Sequence, residues 1–226
     1  MLRIFSSLVG IVRLAALAFD DVHVVERDPH LDQPLREAAA RIAARTEVSP
    51  LTGLVRAMYR RVGIDPTKTR PSSEALLRRI RRGEPLPRVN TLVDVGNWCS
   101  AEWQLPYGLY DLDRVQSPIE LRRGRANESY EGIRKDAVRL EGRMVLADTE
   151  GPFGNPTSDS ARTMITARTT RALVVIFAPW ECDVERLAGV SDATADRIRT
   201  FAAGVERMRI IEPVAGDDAS ADRTAR

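Results

Sequence analysis

The residue patterns that commonly mark an enzyme are missing from this chain. Its 226 residues hold no GxSxG elbow, no phosphate loop, no GxGxxG and no HExxH, so four frequent routes to acyl, phosphoryl, hydride and zinc chemistry have no support here. Gly151-Pro152-Phe153-Gly154 reads as a tight turn, not a phosphate cradle. The only histidines, His23 and His30, belong to no spaced ligand set, so neither a metal nor a cofactor is expected. Cys99 and Cys182 lie far apart and outside any CxxC pattern. They fit small buried thiols in a reducing compartment, which makes the expected location cytoplasmic.

What remains in quantity is arginine. Between Leu51 and Arg88 there are ten basic residues and three acids. The planar, permanently charged guanidinium suits phosphate, which makes Arg78, Arg79, Arg82 and Arg88 the candidates for phosphate contacts. A second reading stands beside that one. Arg78, Arg79, Arg81 and Arg82 fall in the last turns of a predicted helix, where cations complement the negative helix end without any ligand. The formal net charge is only +2, so the whole-chain balance does not announce a nucleic-acid binder. Beyond Pro179 the balance turns acidic through Glu181, Asp183, Glu185 and Asp192.

The elements that must position these residues are read from periodicity. An apolar share of 43% and a charged share of 29% place the chain among globular proteins and set disordered and collagen-like classes aside. Met1–Phe19 is apolar-rich and Ala16-Leu17-Ala18 resembles a signal-peptidase site, but Arg13 interrupts it and Arg3 is a thin basic start. The run is also too short and interrupted to span a membrane, so it is read as a core strand or helix. Leu8–Val25 is expected to hold two short strands around Asp20-Asp21. Helices are predicted for Leu31–Arg45, with Leu35, Ala38 and Ile42 on one face, and for Pro50–Val62, ending at Gly63. A third is capped by Ser72 and stopped at Gly83, and a fourth covers Val93–Gln104. Leu105–Asp113 reads as turns. Short strands follow at Ile119–Leu121, Met144–Leu146 and Ala172–Phe177, and a last helix begins at Ser191. The sum is an α+β chain. The expected organisation is one domain over 1–214, with an N-terminal part at 1–84, a core at 85–179, a C-terminal helical part at 180–214, and a flexible tail at 215–226.

One string carries more than composition. Leu86-Pro87-Arg88-Val89-Asn90-Thr91-Leu92-Val93-Asp94-Val95-Gly96-Asn97 resembles the opening of the B3/B4 domain, the tRNA-editing module of the phenylalanyl-tRNA synthetase beta subunit. Four further stretches follow in that family's order. They are the proline loop Leu105–Asp113, the turn Ala126-Asn127-Glu128-Ser129-Tyr130, the strand Met144–Asp148, and the threonine-rich Arg162–Thr166 with Thr169. Coverage runs over Pro85–Pro179. It reaches back, in the pattern of stand-alone members, through Tyr59, Gly63, Asp65, Pro71, Ser72 and Glu74.

The resemblance implies a mixed-sheet α+β fold, a tRNA or aminoacyl-tRNA partner, and hydrolysis of a mischarged aminoacyl ester in trans. Such an ester is already activated, so the site must hold the terminal adenosine, orient a water and stabilise an oxyanion. Asn97 is the leading catalytic candidate, because an amide both accepts from water and donates to an ester oxygen. Glu128 is the second, as an acceptor for an ammonium group or for water protons. Asn90, Asp94, Asn127, Asn155, Ser158, Thr163 and Thr166 complete the expected polar lining. Each has a structural alternative. Asn90 and Asp94 suit a helix entry, Asn97 suits local backbone bonds, Asn127-Glu128 suits a turn, and the threonines suit strands. Tyr107, Tyr110 and Trp103 fit either a stacking platform for adenine or the core.

The chain also departs from the synthetase pattern. Gly108 stands where that domain has a histidine, Gly96 where it has a threonine, and apolar Ile176 and Phe177 where it has a glutamate. This opens an alternative function: a non-catalytic module that binds tRNA or an amino-acid-like small molecule in the former editing pocket.

Overall fold

The unbroken apolar run that starts at Ala172 lies at the centre of the molecule, which explains why it shows no alternation. The computed structural model describes residues 2–47, 49–211 and 214–216. In chain order it contains β1 (Leu2–Phe5), β2 (Val12–Asp20), α1 (Asp32–Ala43), α2 (Pro50–Arg61), α3 (Ser72–Arg81), α4 (Thr91–Trp103), β3 (Tyr107–Asp111), β4 (Ile119–Arg123), β5 (Ser129–Gly132) and β6 (Lys135–Arg139). Then come β7 (Met144–Asp148), β8 (Gly151–Gly154), β9 (Ala172–Pro179), α5 (Val184–Ala202), β10 (Val205–Ile211) and β11 (Val214–Gly216).

One sheet has the order β10-β2-β9-β3 and is antiparallel throughout. Every residue of β9 is buried, so both faces of this strand are covered and side chains of either direction must be apolar. A second sheet has the order β11-β1-β4-β7-β8, with β1 parallel to both of its neighbours. β5 and β6 form a separate hairpin.

Helix α4 packs against α1, α3, α5 and β3. Its Leu92, Val95, Cys99 and Ala101 are buried together with Gly96 and Ser100, a mixture of large and small residues that a helix contacted on several sides requires. One apolar cluster extends from Leu2 to Ala202, and each sheet draws strands from distant parts of the chain. No helix of the described residues is long and apolar enough to cross a membrane.

Several elements differ from the periodicity reading. Leu8–Val25 holds one nine-residue strand rather than two; it ends at Asp20, and Asp21 turns the chain at φ 57°. Tyr107–Asp111, read as turns, is a strand, because the edge of β9 supplies hydrogen-bonding partners that local propensity cannot see. Ser72 is the first residue of α3 and not its cap; Pro71 takes that position and has no side-chain bond to give. Helix α5 begins at Val184, seven residues before Ser191, because the Asp183 side chain accepts from the Arg186 N–H at 2.6 Å. The stretch expected to be helical beyond Pro179 also carries β10, whose alternation is interrupted by a bulge between Glu206 and Met208. Of the expected tail, Ala215 and Gly216 pair with β1, and residues 217–226 lie outside the described residues.

Candidate functional site

The segment Asn155–Asp159, just after β8, is held by three tyrosines from three different elements. Tyr59 of α2 donates to the Pro156 carbonyl at 2.7 Å. Tyr110 of β3 donates to Asp159 Oδ1 at 2.8 Å. Tyr130 of β5 donates to the Ser158 carbonyl and accepts from Asn155 Nδ2, the latter at 2.9 Å. Burial raises all three phenols above their ordinary range, so they remain protonated donors. Asn155 in turn accepts from the N–H groups of Thr157 and Ser158, both at 2.8 Å. A buried amide with this many partners fixes the backbone around it.

That segment forms one wall of a cavity of about 720 Å³, a size suited to a small ligand or one end of a larger one. Asn97, Asn155, Thr157 and Ser158 face it, and Lys68, Arg70, Arg79, Arg82 and Arg143 supply its charge; none of its described lining residues is acidic. The Asn97 side chain makes no hydrogen bond among the described residues, although it sits inside a helix where local backbone bonds were the alternative. It is a half-buried amide with donor and acceptor unspent in a cationic hollow. Such a group can orient a water or hold an ester oxygen.

The structure separates the two leading catalytic candidates. Glu128 does not face this cavity; it lines a different one with Arg122, Arg125 and Asp148. Arg122 donates to both Glu128 oxygens at 2.6 and 2.8 Å, and the Arg125 N–H donates at 2.8 Å. Burial would raise the Glu128 carboxyl, but these hydrogen bonds outweigh it and hold it below the ordinary range. Glu128 is therefore the partner of a buried arginine and lies on a different hollow from Asn97.

Most of the expected lining is also engaged elsewhere. Asn90 caps α4 by accepting from the Val93 N–H at 3.0 Å. Asp94, fully buried, accepts from Arg88 Nε at 2.6 Å and from the Val89 N–H at 2.7 Å. Burial lifts its carboxyl above the ordinary range despite these bonds. Arg88 is thereby withdrawn from phosphate binding, since it also meets Asp32 and donates to the Asp28 carbonyl. It borders a second hollow of about 490 Å³ between α1 and α3, together with apolar Leu35, Ala39 and Leu86. Asn127 takes φ 58° in the turn before β5. Thr163 is buried with its hydroxyl on the Phe153 carbonyl, and Thr166 is tied to Thr169, which bonds Asp111 at 2.8 Å. Arg78 is exposed on α3 and lines neither hollow. Of the residues singled out by sequence, the cavity gathers Asn97, Asn155, Ser158, Arg79 and Arg82.

A profile of the B3/4 domain matches residues 54–207, which takes in most of α2, the elements from α3 to α5, the start of β10 and every residue of the cavity. The chain belongs to the B3/4 domain family. The phenylalanine-tRNA ligase beta subunit of Carboxydothermus hydrogenoformans is 30% identical over 152 residues, covering 65% of this chain and 18% of that subunit. The same subunit of Neisseria meningitidis serogroup A is 33% identical over 64 residues, covering 28% of this chain and 8% of that subunit. An N-terminal fragment of the phenylalanyl-tRNA synthetase beta subunit from Pyrococcus horikoshii, known from its crystal structure, superposes with a TM-score of 0.50 at 13% identity, over 94% of this chain and 54% of that one. This chain thus spans a small part of the length of the curated relatives, and the last likeness is one of fold.

Within this B3/4 domain the departures noted in the sequence have structural causes. A Cβ on Gly108 would lie 2.1 Å from the Tyr110 hydroxyl, and one on Gly154 would lie 2.2 Å from it. Both glycines make room for the ring that anchors Asp159. A Cβ on Gly96 would meet the Leu109 side chain at 2.7 Å. Ile176 and Phe177 are fully buried in β9. Tyr107 and Tyr110 belong to the core rather than to a stacking platform, and Trp103 packs under the Arg197 guanidinium at 4.5 Å. The cavity cations that sequence reasoning did not single out are Lys68, Arg70 and Arg143, and the tethering role of Tyr59, Tyr110 and Tyr130 was not foreseen. The first two lay inside the basic stretch already noted; the tethers had no local signal.

Proposed function

We propose that this B3/4 domain binds the aminoacylated 3′ end of a tRNA in the 720 Å³ cavity and hydrolyses the ester of a mischarged amino acid. The observation that carries the reading is the unspent amide of Asn97 in a hollow whose charged lining is entirely cationic. Cations favour the nucleotide backbone, and the Asn97 amide orients water and steadies the oxyanion as it forms. Asn155 and Ser158 are presented by a segment rigid enough to act as a template. The beta-subunit relatives support a tRNA-related ligand.

A second reading is binding without turnover. It is favoured by the absence of histidine and carboxylate from the described cavity lining, which leaves no side chain suited to general-base work.

Incubation with a panel of correctly and wrongly charged tRNAs separates the two. Ester loss above the buffer rate, reduced about 100-fold by Asn97→Ala, supports hydrolysis. Saturable binding of charged tRNA with no acceleration of ester loss refutes hydrolysis and supports the second reading. No binding refutes both.

A further inference from the structure

The hollow of about 490 Å³ between α1 and α3 shares no lining residue with the cavity. Helix α3 turns Ala75, Leu76 and Arg79 to the cavity and Ile80 to the hollow. The hollow exists because small residues stand where the two helices meet. Ala39 and Ala43 lie one turn apart on α1, and Gly83 follows the end of α3, so nothing longer than a methyl enters the gap from these positions. The apolar wall is made by Leu35, Ile80 and Leu86, all buried. The charges around it do not balance. Glu84 is answered from outside the hollow by Arg79 and Arg82, at 3.1 and 2.8 Å. Arg88 is answered by buried Asp94 at 2.6 Å and also meets Asp32. Asp32 is shared, since Arg27 lies 3.3 Å from it. Arg36 is exposed, lines the hollow one turn before Ala39 and Ala40, and forms no ion pair among the described residues. One positive charge is thus left over beside an apolar wall.

We propose that this hollow is a second ligand site, which takes a small carboxylate carried on an apolar body. The carboxylate meets Arg36, and the body covers Leu35, Ile80 and Leu86. A guanidinium receives a carboxylate through two parallel hydrogen bonds, and the burial of apolar surface supplies the rest. The volume is that of a small-molecule pocket. The ionic network of Arg27, Asp32, Arg88 and Asp94 ties the first turn of α1 to α4 and bounds the hollow at that end. Such a closed end suits a compact ligand rather than a helix laid along the groove. The site is independent of the tRNA reading, because none of its residues lines the cavity.

The test is a titration of the full chain with octanoate at neutral pH, followed by residue-resolved NMR of the backbone amides. Octylammonium and octanol serve as probes with the same body and a positive or neutral head. Octanoate should shift the Ala39, Ala40, Ala43 and Gly83 amides saturably and leave those of Asn97, Thr157 and Ser158 in place. It should bind about fivefold more tightly than either other probe, the upper range for one exposed ion pair. Arg36→Ala, at an exposed residue, should remove that advantage. Ala39→Leu/Ala43→Leu fills the hollow and should weaken octanoate about tenfold, the equivalent of roughly two methylenes left unburied. Arg36→Ala carries the test if that double variant does not fold. Equal affinity for the three probes overturns the proposal, as do shifts centred on Asn97 and Ser158 or the absence of any saturable shift. If the same four amides move with protein concentration and no probe, a second copy of the chain covers the hollow, which also overturns it.

Discussion

Glu128→Gln is the substitution whose outcome the structure constrains most tightly. The Arg122 side chain is 7% exposed and Glu128 14%, and the two form a bidentate pair at 2.6 and 2.8 Å. Arg122 Nε is buried with no partner of its own among the described residues, so Glu128 provides the compensating charge. Removing one partner of a buried pair strands the other, at a cost of about 3–5 kcal/mol. Glutamine keeps an acceptor, which places the expected loss near the lower end, about 3 kcal/mol. With a urea m-value of about 3 kcal/mol/M, the unfolding midpoint at pH 7 should drop by about 1 M. The acid side provides an independent check. The folded-state Glu128 carboxyl lies below its ordinary range, so its contribution is present above about pH 4.3 and is lost as pH falls through the lowered value. Wild-type and variant stabilities should therefore converge in acid. The pair Arg122→Met/Glu128→Leu should recover most of the loss, because neither charge is then left buried. A Glu128→Gln variant within about 0.5 kcal/mol of wild type at pH 7, or a gap that persists unchanged in acid, would refute the structural assignment of Glu128.

Two further outcomes concern the tethered segment. Tyr130→Phe leaves Asn155 Nδ2 and the Ser158 carbonyl without their partner, so it should cost about 1–3 kcal/mol. It should also lower hydrogen-exchange protection of the Thr157 and Ser158 amides more than that of the β9 amides; uniform loss would contradict a local tether. Gly108→Ala forces a methyl to within 2.1 Å of the Tyr110 hydroxyl, which should cost about 1–3 kcal/mol by overpacking. A thermal midpoint equal to wild type would mean that the Tyr110 ring is not locked over β3.

The family and much of the secondary structure were legible in the chain itself. The string from Leu86 to Asn97 carried the resemblance that the B3/4 match bears out. The 3.6-residue spacing of Leu35, Ala38 and Ile42, and the unbroken Ala172–Phe177 run, marked elements that depend on neighbours a few residues away. The Asn90 cap was readable for the same reason, since its partner Val93 is three residues on. The candidate site was legible only as a list of polar residues. Tertiary structure decided that Asn97 stays unspent among the described residues while Glu128, of a chemically more capable type, is consumed by Arg122. It also decided that Arg88 is locked between Asp94 and Asp32 while Lys68 and Arg143 form no ion pair among the described residues. The Tyr59, Tyr110 and Tyr130 hydroxyls reach their loop partners across 97, 49 and 28 residues. Local sequence sets which conformations a segment prefers, but a polar side chain's partner depends on which strands and helices the topology brings against it. Burial then makes that partnership obligatory.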